Sequence, residues 1–222
     1  MYDLLDHPKA LSIVREVQLR MQREAIARQE FRAWLRPDVK AEFINGETIM
    51  HSPALRRHNQ TVRFILSLLD HYLVYNDIGE VAVEKAMVAT ERHDFEPDIC
   101  FWLEEKAVKF EDDMLYYPPP DLVVEVLSKS TAERDYGVKK RTYQAERVAE
   151  YWIVDPKQYT VEQHVLKQNK QGREEYSLSA RLGYQDQITS RVVRHFTVPV
   201  RSFFNKAARN KALKELDWLG KP

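Results

Sequence analysis

An α/β fold in the order helix, three strands, helix, strand is predicted from three features of the sequence. A helix-like segment over residues 57–76 precedes three strand-like runs. The run Leu122–Leu127 is almost wholly apolar, as expected of a central strand buried on both faces. A polar helix-like segment at 132–147 then leads into a second apolar run, Tyr151–Val154.

The elements follow in chain order. Residues 8–35 read as a long amphipathic helix, with Leu11, Val14, Val17 and Met21 at spacings of three and four, ended by Pro37. Asn45-Gly46 joins Ala41–Ile44 to Glu47–Met50, a hairpin signal because a type I′ turn needs positive φ at both central positions. The helix at 57–76 places Val62, Ile65, Leu66, Leu69 and Leu73 on one face. Strands are expected at about 80–91, 98–103 and 122–127, with Pro118-Pro119-Pro120 before the third. Ser130 or Thr131 is a candidate cap for the helix at 132–147. Further strands are expected over 159–200 and a terminal helix over 203–218.

The chain has 222 residues, 44% of them hydrophobic and 31% charged, a balance ordinary for a globular protein with a sizeable core. One cysteine, Cys100, excludes an internal disulfide and a cysteine-rich zinc site. Apolar runs are too short to span a bilayer and no signal-peptide pattern opens the chain, so a cytoplasmic protein without a membrane segment is expected. Thirty-four basic residues balance 34 acidic ones. The basic excess at 201–222 would suit phosphate contacts, or simply a solvated surface.

Glu125 is the most informative residue. A carboxylate within a Leu/Val strand needs a partner or a purpose, because burying an unpaired charge costs several kcal/mol. A structural salt bridge or an edge position facing water are the bland alternatives. Asp98, after Pro97, alone reads as a strand-starting turn residue, but paired with Glu125 it could hold a hard divalent cation. A lysine two residues past the glutamate would share its face; that position is Leu127. Asp135, Lys139 and Tyr143 share a helix face, so Lys139 could reach back, though Asp135–Lys139 is also an ordinary surface ion pair. His51 and His58 fit no standard zinc spacing.

The segments Glu42-Phe-Ile-Asn-Gly-Glu47, Ser52-Pro53, His58, Pro97-Asp98, Pro120–Ser128 and Asp135…Lys139…Tyr143…Glu150–Pro156 resemble the Uma-type family of restriction-endonuclease-like proteins, in the PD-(D/E)xK superfamily. The resemblance covers roughly 40–205, as several motifs in family order. It implies a single restriction-endonuclease-like domain over 1–222, with a helical extension at 1–39, an added hairpin, extra C-terminal strands and a terminal helix at 206–222. It also implies a Mg²⁺-dependent endonuclease cutting DNA, Mn²⁺ being a substitute. By this resemblance Asp98, Glu125 and the Val126 carbonyl would hold the metal and Lys139 would replace the missing strand lysine. Glu42, Glu47 and His58 match further family positions. Lys129 stands where the family has proline, and Arg147 where it often has glycine. Lys139→Ala is expected to abolish cleavage with little loss of stability, and Lys140→Ala at most to weaken DNA binding.

Two other function classes compete. One is a non-catalytic nucleic-acid-binding or protein-interaction module that keeps the fold. The other is a carboxylate-pair sugar hydrolase, which would need an exposed aromatic such as Trp102 near the acids. The 8–35 helix could form a homodimer contact or pack over its own sheet.

Overall fold

A computed structural model describes residues 6–36, 38–84 and 86–219. The chain runs through α1 (Ala10–Trp34), β1 (Ala41–Ile44), β2 (Glu47–Met50), α2 (Arg56–Leu73), β3 (Gly79–Val83), β4 (Met87–Ala89), β5 (Asp94–Phe95) and β6 (Ile99–Leu103). It continues through α3 (Glu104–Ala107), β7 (Tyr116–Tyr117), β8 (Leu122–Val126), α4 (Ala132–Arg134), a π-helical turn (Asp135–Lys139), α5 (Lys140–Ala145) and β9 (Glu150–Asp155). The long strands β10 (Thr160–Gln168) and β11 (Glu174–Leu182), short β12 (Gln187–Thr189) and β13 (Thr197–Pro199), a 3₁₀ turn (Val200–Phe203) and α6 (Lys206–Leu219) complete it.

A six-stranded sheet in the order β11-β10-β9-β8-β6-β3 carries the core. Its one parallel pair is β8–β9, joined by the α4–π–α5 crossover. Strict alternation assigns the faces. Ile99, Phe101, Leu122, Val124, Val126, Trp152 and Val154 meet α2 and α6 on one side. Cys100, Trp102, Val123, Tyr151 and Ile153 meet α5 and the second sheet on the other. This is the two-sided burial expected from the apolar strand sequences. On the α2 side, Ile65, Leu68 and Leu69 are wholly buried, and each contributes roughly 1.5–3 kcal/mol.

The second sheet, in the order β2-β1-β5-β4-β7, roofs the other face. Its hairpin turns at Asn45 (φ 53°) and Gly46 (φ 90°), the left-handed pair expected from the sequence. The expected strand at 80–91 is instead two strands in two sheets. The chain breaks at Glu84, which adopts φ 40°, and passes from the six-stranded sheet at β3 to the five-stranded one at β4.

Of the two expected uses of α1, packing over its own sheet is seen for only part of the helix. Its C-terminal half docks: Phe31 is buried 5.7 Å from the Phe43 ring, and Arg28 and Arg32 each donate to buried Asp94 at 2.9 Å. Its N-terminal half does not pack on its own sheet. Leu11 is 88% exposed, and Val14, Val17 and Met21 are also exposed. No described helix is long and apolar enough to cross a membrane.

Candidate active site

Strand register creates the acidic pair. β6 and β8 run antiparallel with Ile99 opposite Val124, so one step further Asp98 stands opposite Glu125. Both side chains alternate onto the face shared by Cys100 and Val123, toward α5. Glu125 is buried in an interior strand flanked by β6 and β9, which removes the edge-strand alternative. Asp98 is held by its own strand partner: the Val126 N–H donates to Asp98 Oδ2 at 2.8 Å. His58, in the first turn of α2, lies with Nε2 at 3.1 Å from the same oxygen. Burial pulls the His58 pKa down, but the hydrogen bond and charge of Asp98 outweigh it and the net shift is upward.

Lys139 enters from the crossover. Its Nζ donates to Glu125 Oε1 at 2.8 Å, pairs with Glu42 Oε1 at 2.7 Å and lies 3.9 Å from Asp135 Oδ1. The helix is kinked at Gly137 (φ −98°, ψ −105°) within the π turn, and Asp135 and Lys139 are buried on either side of it. Insertions of this kind recur at functional sites because they re-aim side chains. The Tyr151 hydroxyl donates to the Asp135 carbonyl at 3.0 Å and ties the turn to β9. The Tyr143 hydroxyl donates to Glu125 Oε1 at 3.1 Å. Thr131 occupies the N-cap position of α4 but makes no side-chain bond into the helix. It pairs with Ser128 instead.

Three carboxylates thus crowd one ammonium. Burial pushes the Glu125 pKa well above the usual range, with Asp135, Asp98 and Glu42 adding to the rise and Lys139 opposing it. Burial also raises Asp135 to about 6, against the pull of Lys139. Thr131 lies beside Asp135, yet neither carboxylate oxygen has a donor at hydrogen-bonding geometry among the described residues. Burial works against ionised Glu42 too, but Lys139 and His51 prevail and hold it at about 2. Lys139 is itself kept charged: burial disfavours the ammonium, and Glu125, Glu42 and Asp135 more than compensate.

The expected residues therefore separate. Asp98, Glu125, Lys139, Glu42 and His58 converge around a cleft of about 920 Å³. Glu47, on the exposed end of β2, takes no part in the cluster. Lys140 makes no ion pair with the cluster among the described residues, and the acid whose charge it feels is Glu162 on β10. Sequence reasoning passed over His51, whose Nε2 lies 3.2 Å from Glu42 Oε2. Only the β1–β2 pairing reveals that proximity. Trp102 is wholly buried, which removes the exposed aromatic that the sugar-hydrolase reading needs. Arg147 adopts φ 61° just beyond α5. That is a left-handed position of the kind glycine adopts most readily.

Glu150 provides a contrast. It too is fully buried, but it accepts bonds from Trp152, Gln163, Ser190 and the Arg191 and Val192 N–H groups. It is a saturated anchor between β9 and the β12–β13 corner. By comparison, protein donors reach Asp98 only at Oδ2 and Glu125 only at Oε1 among the described residues. Asp98 Oδ1 and Glu125 Oε2 are left for something else.

Residues 28–201 match the model of the Uma2 family, described as "Putative restriction endonuclease". A crystal structure of "a putative nuclease belonging to DUF820" from Anabaena variabilis ATCC 29413 is similar in fold, with a TM-score of 0.64 at 15% identity, covering 83% of this chain and 97% of that one. No curated protein matches the sequence. With most of its length, both sheets and the acid-bearing strands inside the matched region, the chain belongs to the Uma2 family.

Proposed function

We propose that this protein is a Mg²⁺-dependent endonuclease hydrolysing DNA phosphodiester bonds, with Asp98, Glu125 and Lys139 as its catalytic residues. The observation that carries this reading is the 2.8 Å contact of Lys139, fourteen residues downstream, with Glu125. It restores from a helix the lysine that Leu127 cannot supply from the strand. The family membership supports nuclease chemistry in general.

The donor set fits a hard cation of modest demand. Among the described residues no three His, Cys, Asp or Glu side chains form a ready metal cage. Mg²⁺ needs none: it is bound through one or two carboxylates and keeps several waters. Asp98 Oδ1 and Glu125 Oε2 would hold it, with the Val126 carbonyl as a third oxygen, and Mn²⁺ would substitute. When bound, the ion supplies Lewis-acid charge and lowers the pKa of water. Lys139 orients the attacking water and offers positive charge to the developing phosphorane. Glu42 holds the Lys139 ammonium in place, and His58 fixes the Asp98 rotamer so that its second oxygen faces the cleft. Residues 1–39, 40–205 and 206–222 act as one domain in this reading, supported by the docking of α6 on α2 and of Phe31 on β1.

Purified protein mixed with supercoiled plasmid and Mg²⁺ or Mn²⁺ should give nicked or linear product, and none with EDTA. Absence of metal-dependent cleavage across both ions and several DNA structures would sink the proposal. The second reading, a non-catalytic binding module, draws on the depth of Lys139, which is 2% exposed and already engaged by carboxylates. Calorimetry showing no Mn²⁺ binding, with DNA binding intact, would favour it.

A further inference from the structure

The cleft at the acid cluster does not end at α2. Ala54 and Asn59 on its wall also line a groove of about 490 Å³ over the start of that helix. Arg56, Gln60 and Arg63 in turn belong both to this groove and to the next, of about 450 Å³, which is closed by Lys206 and Arg209 from α6. One continuous surface therefore leads from His58 and Asp98 across two helices.

That surface is basic without counter-charge. The chain as a whole is neutral, with 34 residues of each sign, yet among the described residues no carboxylate lines either groove. Arg56, Arg63 and Lys206 are exposed, and none is in an ion pair among the described residues. Among the described residues, Arg209 is held in position by neutral partners alone. Its guanidinium lies 5.0 Å from the centroid of the Phe64 ring and donates to Ser67 Oγ at 3.3 Å and Asn210 Oδ1 at 2.8 Å. The cation is thus oriented while its charge is kept. Proteins with balanced charge ordinarily intersperse the two signs, so an unpaired run of one sign along a groove is suited to a polyanion.

We propose that Arg56, Arg63, Lys206 and Arg209 form a track for the phosphodiester backbone of duplex DNA as it leaves the cleft. The identity of the ligand rests on the nuclease reading; the track itself rests on the grooves and their charge. Arg56 and Arg63 lie two helical turns apart, about 10 Å along α2. That is roughly three base-pair steps of duplex. Such contacts position the duplex without reading bases, so the track fixes where the backbone lies relative to Asp98 and Glu125, not which sequence is chosen.

The test is fluorescence anisotropy of a labelled 30-base-pair duplex in EDTA, where binding is read without cleavage, over a salt series. Wild type is compared with R56Q/R63Q/K206Q and with K167Q/K170Q/R173Q, an equal charge change at the β10–β11 hairpin. Each phosphate contact contributes about 0.9 to the slope of log K against log salt. The track variant should lose about 3 from that slope and bind at least about tenfold more weakly at 100 mM salt. The hairpin variant should match wild type. An unchanged slope in the track variant, an equal loss in the hairpin variant, no duplex binding by wild type, or binding confined to RNA would each overturn the proposal. Track-dependent binding without metal-dependent cleavage by wild type would leave the track standing and remove the nuclease reading. Cleavage with an unaltered slope in the track variant would do the reverse.

Discussion

Replacing Lys139 with methionine tests the electrostatic heart of the site. The ammonium is buried at 2% exposure and holds Glu42 and Glu125 at 2.7 and 2.8 Å. Methionine keeps most of the volume and removes the charge. Glu42 is then the chief orphan, because its pKa of about 2, against an ordinary 4.5, depends first on Lys139 among its stabilising partners. At roughly 1.4 kcal/mol per tenfold change, that depression is worth about 3 kcal/mol. Breaking a buried pair costs about 3–5 kcal/mol, in agreement. A small loss of stability, the expectation from sequence for removing this lysine, therefore does not survive the burial of its partners. In wild type a depressed carboxylate stabilises the fold above pH 4.5, and the contribution fades as pH falls through 2. In the variant Glu42 titrates higher, so the deficit is greatest near pH 7.5 and narrows toward pH 5. Urea unfolding followed by tryptophan fluorescence is suited to the measurement, since Trp102 and Trp152 are wholly buried. With a slope of about 2–3 kcal/mol/M, the midpoint should fall by about 1 M or more at pH 7.5. A midpoint equal to wild type at pH 7.5, or a deficit that widens on acidification, would refute the buried-pair reasoning.

Four further outcomes are expected. Lys140→Ala should cut plasmid at close to the wild-type rate, because the acid that acts on Lys140 is Glu162 on β10 and not the cluster; a dead Lys140 variant beside an active Lys139 variant would reverse the assignment. Glu125→Gln should fold and lose Mn²⁺ binding in calorimetry, whereas undiminished binding would place the metal elsewhere. Burial and the charge of Arg92 lower His93 to about 4 from 6.5, and its Nδ1 accepts from the Asn45 N–H at 3.3 Å. Its contribution to stability is therefore full above pH 6.5 and lost as pH falls toward 4. Asp135, raised to about 6, acts in the opposite direction over much of that window, so the readout is the difference between wild type and His93→Gln, which should shrink on acidification and would be flat if His93 were not held neutral. Lastly, the exposed stripe of Leu11, Val14, Val17 and Met21 should be covered by a second copy, since isolated helical turns are marginal in water and identical stripes can pair symmetrically. Light scattering at micromolar concentration should give a dimer that Val17→Glu converts to monomer; a monomeric wild type excludes it.

The core was legible where local pattern and burial coincide. Leu122–Val126 and Tyr151–Val154 read as two-sided strands, and Asn45-Gly46 read as a left-handed turn, because each carries its signal within a few residues. The two-residue strands β5 and β7 were not legible, since two residues hold no period and the pairings of β5 with β1 and of β7 with β4 are long-range. The break at Glu84 was missed for a related reason. Nothing in its residue type announces a positive φ, and the run around it is uniformly strand-like. In the site, Glu125 stood out as a charge in an apolar strand and Lys139 by its spacing from Asp135 and Tyr143. His51 had no such signal. Its place beside Glu42 is created by strand pairing, and pairing is a tertiary fact.

The same distinction explains how a fold can tolerate this much buried charge. Glu150 is bonded at both oxygens by five donors drawn from β9, β10 and the loop after β12. A buried carboxylate so fully hydrogen-bonded costs little to keep. Glu125 and Asp135 lack that saturation, and burial raises both. The protein places its incompletely satisfied acids within reach of one lysine beside a cleft, Glu125 on a strand whose register is fixed by apolar neighbours and Asp135 on the adjoining turn. The stability of the sheet comes from Val123, Val124, Tyr151 and Trp152, so the acids need not contribute to it. Their cost is localised at the place where, on the proposed reading, a bound cation would convert electrostatic strain into affinity.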